Sequence, residues 1–379
     1  MAEYYRSEIR SVHASGKERR STPGVIADTL AALLTGIAAP ALILTLMVPW
    51  FTPSGRLLPI LGLAAPATYL LTLCLALYWI ARWRWRWAAL PLLLLFVATF
   101  QLDLFLRLPF SRERVEEPRV RGSIKLISYN VRQFYGLDGE SNRDSLIGWV
   151  GRQRPDILCF QEFTPNTGRG SKALVDSLLE AASGRTYFST TGDTVTSQAI
   201  YSRYRILRSG RTCADLPELR SMWADLLVGE DTIRVFNSHL HSTAITSDDQ
   251  HFLSTETFLQ DTAREQKVRS IIVRFSDNSL LRAAQADTIA GVIRRSPLRT
   301  LVCGDFNDTP ISYVYRTMRN DHRDAFSEAG RGFSYTFNGF RNLLRIDYVL
   351  LDPSFEVLDY RSPALDYSDH LPVVVTFKR

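Results

Sequence analysis

The chain has 379 residues, of which 46% are hydrophobic, a formal charge of +6 and four cysteines. That length usually holds one or two domains, and so few cysteines, without a CxxC pair, exclude a disulfide framework or a cysteine-rich zinc module. The positive charge suits contact with phosphates or an anionic membrane, but much of the arginine flanks apolar runs and says little alone.

The apolar residues are concentrated at the start. Residues 25–48 form a run broken only by Asp28, residues 57–81 a second without a charge, and residues 88–106 a third with Asp103 near its far end. Each approaches the roughly 20 residues that cross a bilayer. Trp50, Phe51, Tyr78, Trp79, Trp83, Trp85 and Trp87 gather at the run ends, as an aromatic belt does. A cleaved signal peptide is excluded, because two more runs follow and no small-x-small cleavage site separates them. The runs carry few polar residues beyond Asp28 and Asp103, which argues against a transport path. Arg6, Arg10, Lys17, Arg19 and Arg20 precede the first run, and Arg82-Trp83-Arg84-Trp85-Arg86 joins the second to the third, whereas only Arg56 lies between the first two. The positive-inside rule therefore predicts a cytoplasmic segment 1–24, three crossings, and everything after about Leu106 outside the cytoplasm; if only two runs span, that part stays inside. Arg107, Arg112 and Arg114 run against this, but long domains translocate largely regardless of charge. Residues 107–122 read as a charged juxtamembrane linker reaching about 50 Å if extended.

Residues 123–379 read as a soluble α/β domain. Ile124–Val131 is a β-rich run containing Asn130. Residues 142–153 have helical spacing, and 156–162 is a buried strand ending in Glu162. A carboxylate after so apolar a run is either a solvated strand end or a ligand for a hard metal. Residues 171–182 read as helix, while 197–203, 222–228 and 232–240 read as strands. The last of these ends Asn237-Ser238-His239-Leu240-His241, placing Asn237, His239 and His241 on one side. Paired histidines there favour proton transfer, and no HExxH or cysteine cluster supports zinc. Residues 243–278 read as a long polar insertion or helical lid and 280–294 as a helix whose Arg282 and Gln285 either reach toward the site or, as is commoner, lie on a solvated face.

A buried strand then ends in Gly304-Asp305-Phe306-Asn307, with Asp305 and Asn307 on one side and Gly304 permitting close backbone approach. Residues 312–319 read as a short helix and Thr336 as part of a glycine-flanked strand. Arg345–Leu351 is a strand with Asp347 at its start. Asp369-His370 needs an irregular turn before Pro372 if both are to meet one site. Cys74, Cys159 and Cys303 sit in apolar or strand-like runs as small core residues.

Six stretches in this order, Ser-Tyr-Asn-Val, Phe-Gln-Glu, Asn-Ser-His-Leu, Gly-Asp-Phe-Asn, Arg-Ile-Asp-Tyr and Ser-Asp-His-Leu-Pro, resemble the endonuclease/exonuclease/phosphatase superfamily, the DNase I-like phosphoesterases, from about Ser123 onward. The resemblance implies a four-layer α/β sandwich of two mainly antiparallel sheets with helices outside. It implies Mg²⁺ or Mn²⁺ held by Glu162 with Asn130 and Asp369. Asp305, oriented by Asn307, would position or deprotonate the attacking water, and His370, oriented by Asp347, would serve the phosphoryl oxygen or the proton transfer. Either Asp305 or His370 can be the base, and His239 would stabilise the transition state or protonate the leaving oxygen. Abasic-site endonucleases carry a tyrosine where this chain has His239, so the motif is more similar to the DNase I, inositol-phosphatase and sphingomyelinase branches.

The expected protein is a membrane-anchored phosphodiesterase or phosphatase of a bacterial inner membrane, with its catalytic domain extracytoplasmic. A lipid headgroup, a phosphorylated metabolite or DNA would be the substrate, and no obligate protein partner is indicated. A nuclease acting on extracytoplasmic DNA is the second reading, and a non-catalytic tethered binding module on the same scaffold the third.

Overall fold

A computed structural model describes residues 22–53, 57–107, 121–163, 171–192, 197–216, 218–243, 249, 252, 262–339 and 342–379. The chain divides into two compact units, Met1–Leu42 with Ala67–Phe96, and Ile43–Pro66 with Val97–Arg379.

The apolar runs are helices α1 (Thr22–Met47), α2 (Leu57–Leu63), α3 (Ala65–Ala81) and α4 (Trp85–Leu102). Pro23–Trp50 and Trp85–Leu102 are each long and apolar enough to cross a membrane. Helices α2 and α3 make a third candidate only if taken together, because they bend by 70° at their junction. The second run is therefore a broken helix, with Gly62 and Pro66 flanking the break, the residue types that interrupt a helical hydrogen-bond ladder. The third run stops being helical at Leu102. Most of the 107–122 linker lies outside the described residues.

In the first unit, Ala31, Ala38, Leu75, Trp79 and Ala88 form an apolar cluster. Its polar groups are paired: Asp28 lies 3.0 Å from both Arg82 and Arg84, and Trp79 donates to Thr35 at 2.9 Å.

The second unit contains two six-stranded sheets among the described residues. In spatial order the first is β13 (Glu356–Arg361), β14 (Val373–Lys378), β2 (Ile124–Asn130), β3 (Ile157–Gln161), β5 (Gln198–Ser202) and β4 (Phe188–Thr191). The second is β10 (Arg323–Asp324), β12 (Asp347–Leu351), β9 (Arg299–Asp305), β8 (Asp231–His239), β7 (Ser221–Val228) and β6 (Arg205–Arg211). A two-residue strand β1 (Leu106–Arg107) pairs with β11 (Gly332–Phe333). The β2–β3 and β8–β9 pairs are parallel and the others antiparallel. A parallel pair needs a crossover, supplied by α5 (Arg143–Gln153) in the first sheet and α7 (Thr262–Arg294) in the second.

Alternation along each strand builds two layers of core. Leu126, Cys159 and Ile200 meet Ala224, Val235, Leu301, Cys303 and Val349 between the sheets. Ile127, Tyr129, Leu158 and Phe160 point outward under α5 and α6 (Lys172–Ser183), against Leu146, Val150, Val175 and Leu179. Strands buried on both faces read as unbroken apolar runs, which is why the sequence displays them so plainly.

Three details depart from the sequence reading. Strands β4, β6 and β13 carry too little alternation to stand out, and β6 has no buried residue. Helix α7 begins at Thr262, so it joins residues 262–278, read as an insertion or helical lid, to the helix read over 280–294; most of 243–261 lies outside the described residues. Thr336 lies in a loop, not a strand.

Gly304 has φ +136, and a Cβ there would sit 1.8 Å from the Ser238 carbonyl oxygen on β8. Gly304→Ala is expected to destabilise the fold by about 3 kcal/mol or more, read as a lowered unfolding midpoint in detergent; an unchanged midpoint would contradict this packing.

Candidate active site

The site is built where strands of both sheets end. In the second sheet the register sets His239 opposite Asp305 and Asp305 opposite Asp347, so three side chains arrive in one row from β8, β9 and β12. The first sheet supplies Asn130 from the end of β2 and Glu162 just beyond β3. The turn before β14 supplies His370.

Asp305 lies at the centre and is 1% exposed. Its Oδ1 accepts from the Asn307 backbone N–H at 2.8 Å. Its Oδ2 accepts from Asn130 Nδ2 at 3.0 Å and Asn307 Nδ2 at 3.2 Å. His239 Nε2 and His370 Nε2 stand 3.6 and 3.7 Å from the same oxygen. Asn307 adopts φ +52, turning its amide back to donate to the Leu240 carbonyl at 3.1 Å. Burial raises the Asp305 carboxyl to about 6, against the opposing pull of His370.

His370 is held from behind. Its Nδ1 donates to Asp347 Oδ2 at 2.9 Å, and Phe337 packs on its ring at 5.1 Å between centroids. Burial lowers this imidazole, but the Asp347 and Asp305 carboxylates outweigh it and raise the group to about 10. Among the described residues no carboxylate is hydrogen-bonded to His239, and burial pushes it down to about 4. Two neighbouring histidines are thus driven apart, one toward imidazolium and one toward neutral imidazole.

Asn130 Nδ2 also donates to Glu162 Oε1 at 3.2 Å, and the same oxygen lies 3.9 Å from His239 Nε2. Asp369 instead lies at the edge, 3.5 Å from Arg132 Nε and about 30% exposed. Asn130, Glu162, His239, Asp305, Asn307, Asp347 and His370 are therefore joined in one network, and Asp369 reaches it through its neighbours.

The donor types, carboxylates and an amide, suit a hard divalent ion, and Asp347 Oδ1 and His239 Nδ1 are buried without a hydrogen-bond partner among the described residues. Asp305, Asp347 and His370 each offer a ligand atom within 4.8 Å of the others.

Several supporting residues escape the sequence reading. Thr336 Oγ1 accepts from the backbone N–H groups of Ile346 and Asp347, both at 3.0 Å, fixing the start of β12. Ser368 donates to the Asn130 carbonyl at 2.8 Å. Gln161 Nε2 donates to Asn237 Oδ1 at 2.7 Å, and Asn237 Nδ2 donates to the Phe160 carbonyl at 2.8 Å, so Asn237 ties the sheets together beneath the site. Ser368 and Gln161 sit inside motifs already read, which was the available signal. His241 is exposed and its backbone N–H donates to Gln285. Arg282 is fully buried rather than on a solvated face. It lies 3.4 Å from Asp308, donates to the His241 carbonyl at 3.3 Å, and so joins the loops beyond β8 and β9.

The model of the Endonuclease/Exonuclease/phosphatase family matches residues 127–370. Among solved structures, an endonuclease/exonuclease/phosphatase family protein from Bacteroides thetaiotaomicron is similar at 18% identity and a TM-score of 0.46, covering 69% of this chain and 98% of that one. A mannosyl-6-phosphatase from Bacteroides thetaiotaomicron is similar at 18% identity and a TM-score of 0.44, covering 68% and 100%. A family protein from Leptotrichia buccalis is similar at 13% identity and a TM-score of 0.45, covering 68% and 100%. No curated protein matches the chain.

Proposed function

Because this chain belongs to the endonuclease/exonuclease/phosphatase family, whose members hydrolyse phosphate esters, we propose that it is a membrane-anchored, divalent-metal-dependent phosphoesterase. The observation that carries this reading is the buried Asp305 carboxylate, set between two histidines of opposite proton affinity and beside the Glu162 carboxylate.

Mg²⁺ or Mn²⁺ would be held by Glu162 with Asn130 and Asp369. Once bound, the ion supplies charge neutralisation at the phosphoryl oxygens. Asp305, its carboxylate aimed by Asn307 and Asn130, orients a water and takes its proton. His370, kept charged by Asp347, donates to a phosphoryl oxygen, and Asp347 fixes which ring nitrogen faces the substrate. His239 stands on the other side of Asp305 to stabilise the charge on the phosphoryl group or the leaving oxygen.

The anchor follows from the apolar helices. The domain holds Trp50 through Arg316 and Leu104 through Arg345. With three crossings, the arginines of Arg82–Arg86 between the second and third apolar runs favour the cytoplasm and would leave the catalytic domain outside it.

The test is hydrolysis of bis-p-nitrophenyl phosphate, plasmid DNA and phospholipid vesicles by the full chain in Mg²⁺, Mn²⁺ or EDTA. We expect cleavage with metal, none with EDTA, and a loss of about 100-fold or more in Glu162→Ala. Cleavage unaffected by EDTA and by Glu162→Ala would overturn the proposal.

A further inference from the structure

The site loops are fastened to the segments that adjoin the membrane helices. On one side, two residues beyond Asn307, Thr309 Oγ1 donates to the Gly62 carbonyl of α2 at 3.3 Å. Gly62 is pressed so close that a Cβ would come within 2.5 Å of the Ile311 carbonyl oxygen and 3.3 Å of Val48 Cγ1. The Arg316 guanidinium, on helix α8 (Tyr313–Arg319), sits 3.6 Å from the centroid of the Trp50 ring. On the other side, two residues before Asp347, Arg345 donates to the Leu104 carbonyl at 2.6 Å while pairing with Asp324 at 2.8 Å. Ser327 donates to the Asp103 carbonyl, Arg107 to the Ser327 carbonyl, and Ser334 N–H to the Phe105 carbonyl.

These attachments converge. One crevice is lined by Gly62 of α2, Phe105 beyond α4, Thr309 and Ile311 of one site loop, and Leu343 and Arg345 of the other. Several exposed side chains of these attached segments and loops are apolar: Trp50 is 62% exposed, Leu57 58%, Leu343 52% and Phe333 39%. Trp50 and Leu57 belong to segments continuous with the candidate spans, so the apolar rim is an extension of the surface that enters the bilayer. Two residues of backbone reach at most about 7 Å, so Asn307 and Asp347 lie within that distance of residues attached to this rim. The same loop also reaches the reacting groups, since Phe337 pairs with Leu344 on one side and with His370 on the other.

We infer that the substrate is a phosphate ester carried by a lipid of the membrane in which the chain is anchored, presented to Asp305 across the exposed apolar rim of Trp50, Leu57, Phe333 and Leu343. This rests on the phosphoesterase reading above. A water-soluble ester gains nothing from an apolar rim. A lipid headgroup is confined to the plane where that rim lies, which raises its effective concentration at the site.

The test uses the full chain in lipid nanodiscs with Mg²⁺. Dioleoyl phosphatidic acid and dioleoyl phosphatidylglycerol in the disc are compared with their dihexanoyl forms in solution, and bis-p-nitrophenyl phosphate reports the chemistry. Leu343→Asp places a charge on the rim without touching the network around Asp305. We expect at least one dioleoyl lipid to be cleaved about 10-fold or more faster than its short-chain form. Leu343→Asp should lower that rate about 10-fold, leaving bis-p-nitrophenyl phosphate cleavage unchanged. Cleavage of bis-p-nitrophenyl phosphate with no cleavage of either lipid, a short-chain form cleaved equally well, or an unaltered lipid rate in Leu343→Asp would overturn the inference alone. Failure to cleave any ester would overturn the phosphoesterase reading, and the inference with it.

Discussion

Asp305→Asn is expected to lower turnover of bis-p-nitrophenyl phosphate by about 1,000-fold while leaving the fold intact, the middle of the range for loss of a general base. The substitution keeps shape and volume and removes the proton acceptor. Its structural effects oppose one another. One oxygen becomes an NH₂ group facing the Asn307 or Asn130 donors, which costs on the order of 1–3 kcal/mol. Against this, burial raises the Asp305 carboxyl to about 6. A carboxyl whose folded value lies above its unfolded one opposes folding when ionised, so at neutral pH removing the charge stabilises the protein. The unfolding midpoint, measured in EDTA so that no ion contributes, should move by only a few degrees. A wild-type-like kcat would remove Asp305 from the chemistry; a collapsed midpoint would make the loss of activity a folding defect.

Asp347→Asn and His370→Asn are each expected to lower kcat by about 100- to 1,000-fold, and the double variant to be little worse than the more damaging single one. The reason is geometric. His370 Nδ1 lies 2.9 Å from Asp347 Oδ2, and that contact with the nearby Asp305 charge keeps the ring protonated despite burial. If Asp347 acts only through His370, removing it once His370 is gone changes nothing more. A double-mutant cycle reads this directly: losses that multiply would show that Asp347 has an independent role, as ligand atoms shared by Asp305, Asp347 and His370 would require.

Much of the site was legible because its residues stand at the ends of apolar strands, where a carboxylate or amide has no packing function. Asp305 after Leu301–Cys303 and Glu162 after Ile157–Phe160 are the plain cases, and the structure brings both beside Asn130. What stayed hidden depends on tertiary partners. Arg282 follows the polar pattern of a solvated helix, and only its buried placement near Asp308 and His241 shows otherwise. Thr336 looks like an ordinary β-branched residue until its hydroxyl is seen to accept two N–H groups next to Asp347. The break between α2 and α3 was written in Gly62 and Pro66, but hydropathy averages over such residues. Strand β6 gave no signal because an edge strand without buried residues has no alternation to show.

Glu162 adopts φ +53, a left-handed conformation that glycine would take freely and glutamate does not. Holding it there costs about 1–2 kcal/mol, borne by the hydrogen bonds around it, among them the Gln133 backbone N–H to the Glu162 carbonyl at 3.1 Å. The backbone thereby fixes the direction in which the side chain leaves, toward Asn130 Nδ2, which donates to the carboxylate at 3.2 Å. A cation binding there would meet a ligand whose backbone is already ordered, so that share of the entropy is charged to folding and not to affinity.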